Sequence, residues 1–247
     1  MDKKLILDAI KQARETSPKR NFKQSFDFIV NLKGLDLKKT ENQVEFFMTL
    51  KNTRGKKTKV CALVGAELLD DAKSSCDFTI VQDDFQKYQE NKKLMKKLTE
   101  DYDYFIAQAN IMPKIAGAFG RVFGPRGKMP NPKAGCIVPP KTNLKPLYIK
   151  LQHTVKVSAK TSPIIQILLG KEDMPEDEIV DNLLNVYDQL IHHLPGEKNN
   201  IDSMFLKLTM GKAVKLDDKV NVQKAKEKKR LLHKKADKEE QKSGVAA

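Results

Sequence analysis

The apolar positions change their period twice along this chain of 247 residues. Leu5, Ile6, Ala9, Ile10 and Ala13 recur at helical spacing, which predicts an amphipathic helix at the start. Phe26, Phe28, Val30 and Leu32 then alternate at period two, as do Val44, Phe46, Met48 and Leu50, predicting two half-buried strands. Asn52 to Lys59 is polar and basic and reads as a linker. Val60 to Val64 is unbroken apolar sequence ended by Gly65, the mark of a strand covered on both faces. A helix near Ala66 to Lys73, a strand at Phe78 to Val81, a Lys-rich helical region to about Leu98, and a strand at Tyr102 to Ala107 follow. A helix at Ile111 to Phe123 then delivers the chain into a Gly-Pro-Arg-Gly loop. Such alternation predicts an α/β unit with a parallel sheet.

After Pro139 and Pro140 the two-residue period returns. Val155, Val157 and Ala159 predict one strand, Ile164 to Leu169 another, and Met204, Leu206, Leu208 and Met210 a last one closed by Gly211. Between them Glu176 to Leu194 is an amphipathic helix, with acids in its first turn and Pro195-Gly196 at its end. Neither terminal piece buries enough surface to stand alone, and each would leave open sheet edges. The expected fold is therefore α/β plus α+β. Residues 1–57 and 154–218 form a split α+β domain, and residues 58–153 an inserted α/β domain. Linkers are expected near Arg54 to Lys59 and Gln152 to Thr154. One continuous α/β domain is the alternative.

Charge adds a partner to this picture. The net charge is +14, and no Asp or Glu occurs from Tyr104 to Lys171. That span carries eleven Lys and Arg residues, and a polyanion, nucleic acid first of all, would supply the missing charge. Residues 219–247 form a basic extension of net charge +6, leaving +8 for the rest, so the extension alone does not make the chain basic. Its composition predicts a solvated tail, disordered or partly helical. No apolar run is long enough to span a membrane, and the first residues lack the apolar core of a signal peptide. Cys61, Cys76 and Cys136 are odd in number and far apart, which points to free thiols in a reducing compartment.

Catalytic patterns fail in detail. A phosphate loop ending at Gly127-Lys128 would need Gly at Val122 and Ser or Thr at Met129. Phe119 stands where a dinucleotide fingerprint needs its second glycine. No cysteine pair has zinc spacing, and the adjacent His192 and His193 point apart on a helix. Asp70-Asp71 and Asp83-Asp84 read as solvated acids. No enzyme activity, cofactor or metal is expected; a nucleotide-dependent enzyme built on the middle unit is the alternative.

Three segments read as binding surface. In Lys19 to Ser25, Phe22 either stacks on a base or ribose or staples the start of the strand to the core. In Leu208 to Lys212, a hydroxyl before Gly211 allows close backbone approach, or marks an ordinary turn. In Gly124 to Pro132, two glycines and three prolines fix a special backbone around Arg126 and Lys128, for function or as a loop packed on its own unit.

Together these segments resemble the ribosomal protein "L-one" family of the large subunit, in its archaeal and eukaryotic-like form. The resemblance runs through Lys19-Arg20-Asn21-Phe22-Lys23-Gln24-Ser25, Asn31 to Asp36, Gly124 to Pro132 and Lys207 to Gly211. It implies a split α+β domain that binds large-subunit rRNA, with an inserted Rossmann-like, three-layer domain on a mobile stalk beside the tRNA exit site. It further implies deacylated tRNA and the protein's own mRNA as partners, a monomer off the ribosome, no membrane, and a cytoplasmic location. The RNA contacts it implies are Asn21, Phe22, Ser25, Thr209, Met210 and Gly211, then Arg20, Gln166 and Lys171. Arg126 and Lys128 would face RNA or passing tRNA. Leu208 stands where the family often has Thr, so no hydroxyl contact is transferred there. Recognition of this kind uses hydroxyls, amides and backbone N–H groups to read RNA shape, while cations hold phosphates. Neutralising five to eight phosphates would lower affinity on the order of a thousandfold for a fourfold rise in salt.

Overall fold

The structure is a computed structural model that describes residues 1–39 and 42–216. The basic extension at 219–247, with the expected end of the split unit at 217–218, lies outside the described residues. The chain runs α1 (Lys3–Thr16), β1 (Ser25–Leu32), β2 (Val44–Thr49), β3 (Val60–Val64), α2 (Leu69–Ser75), β4 (Phe78–Val81), α3 (Phe85–Glu90), α4 (Lys92–Asp101), β5 (Tyr104–Gln108), α5 (Met112–Phe123) and β6 (Ile137–Val138). It continues through α6 (Lys145–His153), β7 (Thr154–Ala159), β8 (Ile164–Lys171), α7 (Glu176–His193), β9 (Ile201–Leu208) and β10 (Val214–Lys215).

The two ends of the chain pair strand on strand. β1 lies between β8 and β9, antiparallel to both, in a sheet of order β10-β9-β1-β8. β2 pairs with β7. The alternation in the sequence becomes burial: Phe26, Phe28, Val30 and Leu32 point into one core with Leu206 and Leu208. Leu5, Ile6, Ala9 and Ile10 of α1 and Ile179, Leu183, Val186 and Leu190 of α7 close that core. Arg14 fixes α1 to the start of α7. It donates to Glu176 Oε1 at 2.8 Å and to the Glu172 and Met174 carbonyls at 3.1 Å.

Residues 60–151 build a parallel sheet of order β4-β3-β5-β6. All five residues of β3 are buried, as its unbroken apolar run predicts. Cys61 and Leu63 meet Phe105, Ile115, Phe119 and Phe123 on one face, where α3, α4 and α5 lie. Val60, Ala62 and Val64 meet Leu68, Ala72, Leu144 and Leu151 on the other, under α2 and α6. The result is three layers, helices on sheet on helices.

Three expectations change. The Lys-rich region is two helices, broken at Asn91, whose side-chain oxygen accepts from the N–H groups of Lys93 and Leu94 and so starts α4. The predicted linker at Gln152 to Thr154 is no coil, because α6 runs directly into β7. Gln152 instead clips the crossing segments together: its Nε2 donates to the Thr58 carbonyl at 2.7 Å, and its Oε1 accepts the Thr58 N–H at 2.8 Å. The last long strand stops at Leu208, so Met210 lies beyond it. Two short strands, β6 and β10, carry no period of their own in the sequence, being two residues each.

Candidate nucleic-acid interface

Two of the three segments meet in space. The register of β1 and β9 sets Phe26 against Leu208, so the residues before one strand neighbour those after the other. Ser25 N–H donates to Thr209 Oγ1 at 3.0 Å, and Thr209 Oγ1 donates back to the Ser25 carbonyl at 3.3 Å. Thr209 N–H reaches that same carbonyl at 3.0 Å. The hydroxyl therefore clasps the turn.

Gln24 is the residue that sequence reasoning passed over. It is buried, its Nε2 donates to the Pro18 carbonyl at 3.0 Å, and its Oε1 accepts the Met210 N–H at 3.1 Å. Its signal was an amide inside a run of cations, which is weak. Space is tight at Gly211, where a Cβ would come within 3.1 Å of Ser17 Cβ and 3.4 Å of Leu208 Cβ. That Cβ would clash with Ser17 Oγ, which itself donates to the Ala13 carbonyl at 2.6 Å. The end of α1 thus presses on the turn, and Gly211 N–H closes it onto the Leu208 carbonyl at 2.8 Å.

On this fixed backbone, Phe22 is 52% exposed and Met210 51% exposed. Phe22 consequently does not staple β1 to the core. Arg20, Asn21 and Lys23 are exposed beside it, with Lys23 paired to Asp173. Lys171 stands opposite Ser25 across β8 and donates to the Lys23 carbonyl at 3.3 Å. The structure thus gathers Arg20, Asn21, Phe22, Ser25, Lys171, Thr209, Met210 and Gly211. Gln166 is not among them: it pairs with Ile29, about 17 Å along β8 from Lys171. Asp27 sits between, where burial pushes its carboxyl above the usual range against the pull of Lys207 and Lys171.

The third segment is elsewhere: residues 124–127 are exposed, but the cations of this loop bond back to the fold. α5 ends at Gly124, where a Cβ would lie 2.8 Å from the Gly120 carbonyl. Gly127 takes φ 63°, a left-handed position. Arg126 then donates to the Lys96 carbonyl at 3.1 Å, to Thr99 Oγ1 and to Glu100 Oε1 at 3.2 Å. It binds the C-terminal half of α4, the end of a helix dipole that attracts a cation. Lys128 Nζ donates to the Tyr102 and Asp103 carbonyls at 3.1 Å each. Burial holds its pKa below the usual lysine value.

The model of the family described as "Ribosomal protein L1p/L10e family" matches residues 11–212. The chain belongs to the ribosomal protein L1p/L10e family. Three archaeal relatives share the name large ribosomal subunit protein uL1. The Methanobrevibacter smithii protein is 41% identical over 212 residues, 85% of this chain and 98% of its own length. The Nanoarchaeum equitans protein is 41% identical over 214 residues, 85% and 98% of the two chains. The Methanocaldococcus jannaschii protein is 37% identical over 228 residues, 92% and 100%. The span matched by the L1p/L10e family model contains the Phe22 turn, the Gly124 to Pro132 loop and the turn at Thr209 to Gly211.

Proposed function

We propose that this chain is a structural protein of the large ribosomal subunit, acting in cytoplasmic ribosomes, and that it binds large-subunit rRNA through the turn carrying Phe22, Thr209 and Met210. The observation that carries this reading is the pairing of two half-exposed apolar side chains, Phe22 and Met210, with a backbone locked beneath them by Gln24, Thr209 and Gly211. An aromatic ring held open among Arg20, Lys23 and Lys171 suits a base or ribose flanked by phosphates. The name these relatives share, large ribosomal subunit protein uL1, supports the ribosomal assignment.

On the finer reading, residues 1–57 and 154–218 act as the anchored RNA-binding domain and residues 58–153 as a second domain beside the tRNA exit site. The second domain assists release of deacylated tRNA, with Arg126 and Lys128 facing nucleic acid. The same surface binds the protein's own mRNA and represses its translation. The test is binding of the purified chain to fragments of its own large-subunit rRNA at two salt concentrations, against bulk competitor RNA. One fragment should survive competition. Equal, salt-sensitive binding to every RNA would reduce the chain to a generic basic protein.

A further inference from the structure

A cleft of about 360 Å³ opens where β7 and the segment before β3 face the loop after α5. Its walls include Arg54, Asp103, Tyr104, Arg126, Lys128 and Lys156. The two sides already touch. The Tyr104 hydroxyl donates to the Thr154 carbonyl at 3.0 Å, and a Cβ on Gly127 would stand 3.8 Å from Lys156 Nζ.

The cations around this space outnumber the acids that serve them. Lys156 shares Glu45 with Lys160, at 3.0 and 2.7 Å. Asp103 lies 3.9 Å from Lys128, and Glu100 serves Arg126. Arg54 donates Nη2 to Thr58 Oγ1 at 2.6 Å, while its Nε is buried without a hydrogen-bond partner among the described residues. Burial and the nearby Lys56 charge both press Lys128 toward losing its proton, against Asp103. Lys156 and Lys160 have one carboxylate between them, Lys128 has two carbonyls and a distant Asp103, and the Arg54 guanidinium bonds only a hydroxyl, so the cluster is short of anions.

We propose that this cleft is a phosphate site, in which one phosphate group bridges Lys156 and Arg54 on one side to Lys128 on the other. A phosphate suits it better than a carboxylate, because its tetrahedral oxygens accept from donors converging from several elements, including a planar guanidinium. The volume holds a phosphate or a short polyphosphate with its waters. The site deepens the assignment of Lys128 to nucleic acid, and it shares no residue with the Phe22 turn. The phosphate comes either from an RNA backbone or from a free polyphosphate.

The test is a titration of the isotope-labelled full chain with tripolyphosphate at constant ionic strength, followed by NMR. Saturable shifts are expected at the amides of Arg54, Tyr104, Gly127, Lys128 and Lys156. Lys156→Gln should weaken binding roughly tenfold, as loss of one charge-assisted contact does. Lys160 keeps Glu45 paired in that variant, so its fold is preserved. Arg54→Gln gives a second reading from another element. Phe22→Ala should bind tripolyphosphate like the parent, which separates this site from the RNA turn. Displacement by a single-stranded oligoribonucleotide without terminal phosphates assigns the site to RNA backbone; saturation without displacement assigns it to free polyphosphate. Shifts spread over surface lysines without saturation, or an unchanged affinity in Lys156→Gln, overturn the proposal.

Discussion

The Phe22 turn and the Gly124 to Pro132 loop read alike as sequence and differ as surfaces. Each joins cations to residues that fix a backbone. In the first, the polar residues Gln24 and Thr209 are consumed in bracing the turn, and Phe22 and Met210 are left outside. In the second, the cations themselves do the bracing: Arg126 binds the C-terminal half of α4 and Lys128 ties down the two carbonyls before β5, so a phosphate at Lys128 meets an ammonium the fold already holds in place. A charged side chain therefore says little about a partner until its own hydrogen bonds are assigned. The same count of donors can hold an outside ligand or hold the fold.

Substitutions divide along that line. Gly211→Ala should act most strongly, because the new Cβ clashes with Ser17 Oγ and crowds Ser17 Cβ and Leu208 Cβ at 3.1 and 3.4 Å in a place where the backbone is closed on Leu208. A loss of about 3 kcal/mol is expected, at the upper end for overpacking, together with loss of RNA binding. Ser17→Ala in the same chain should restore much of the stability, since it removes the clashing oxygen. If the double variant melts no higher than the single one, the contact with α1 is not the cause.

Lys128→Ala comes next. It leaves two carbonyls without their charged donor, so a loss of about 2 kcal/mol is expected in denaturant unfolding. RNA affinity at the Phe22 turn should stay within about threefold. Phe22→Ala should do the reverse. Truncating a half-exposed side chain shifts stability by less than about 0.5 kcal/mol. Losing one stacked base costs about 1.5 kcal/mol of RNA affinity, roughly tenfold. Equal effects of both variants on stability and on RNA would erase the distinction between the two regions.

Sequence patterning carried the framework because burial follows periodicity. The unbroken run at Val60 to Val64 and the alternation from Phe26 to Leu32 each fix how many faces of a strand are covered. α6 was missed because Lys145 to His153 buries only Leu151 among its own residues, so little period reaches the sequence. The break at Asn91 was missed because a single side-chain oxygen makes it. In the site, the exposed Phe22 was legible as a residue type in a basic run, but its direction was not. Gln24 was hidden because its partners, the Pro18 carbonyl and the Met210 N–H, are backbone groups brought close only by folding. Gln166 matched by resemblance, yet strand rise alone sets it apart from the turn.

Asp27 offers the finest distinction, since it is an acid on the strand that leads from the exposed turn. Burial raises its pKa in the folded chain, and Lys207 and Lys171 offset part of that rise. Above the folded pKa the carboxyl is ionised in both states, and only the folded state carries the desolvation penalty. Below the unfolded value, about 3.9, both states are protonated and the penalty vanishes. Asp27→Asn should therefore gain a few tenths of a kcal/mol at neutral pH and lose that gain as the pH falls toward 3. Its RNA affinity should rise as well at neutral pH, because one negative charge leaves the neighbourhood of Lys171 and the turn. A stability gain without any change in affinity would place the bound phosphates away from β8 and confine the interface to the loop side of the turn.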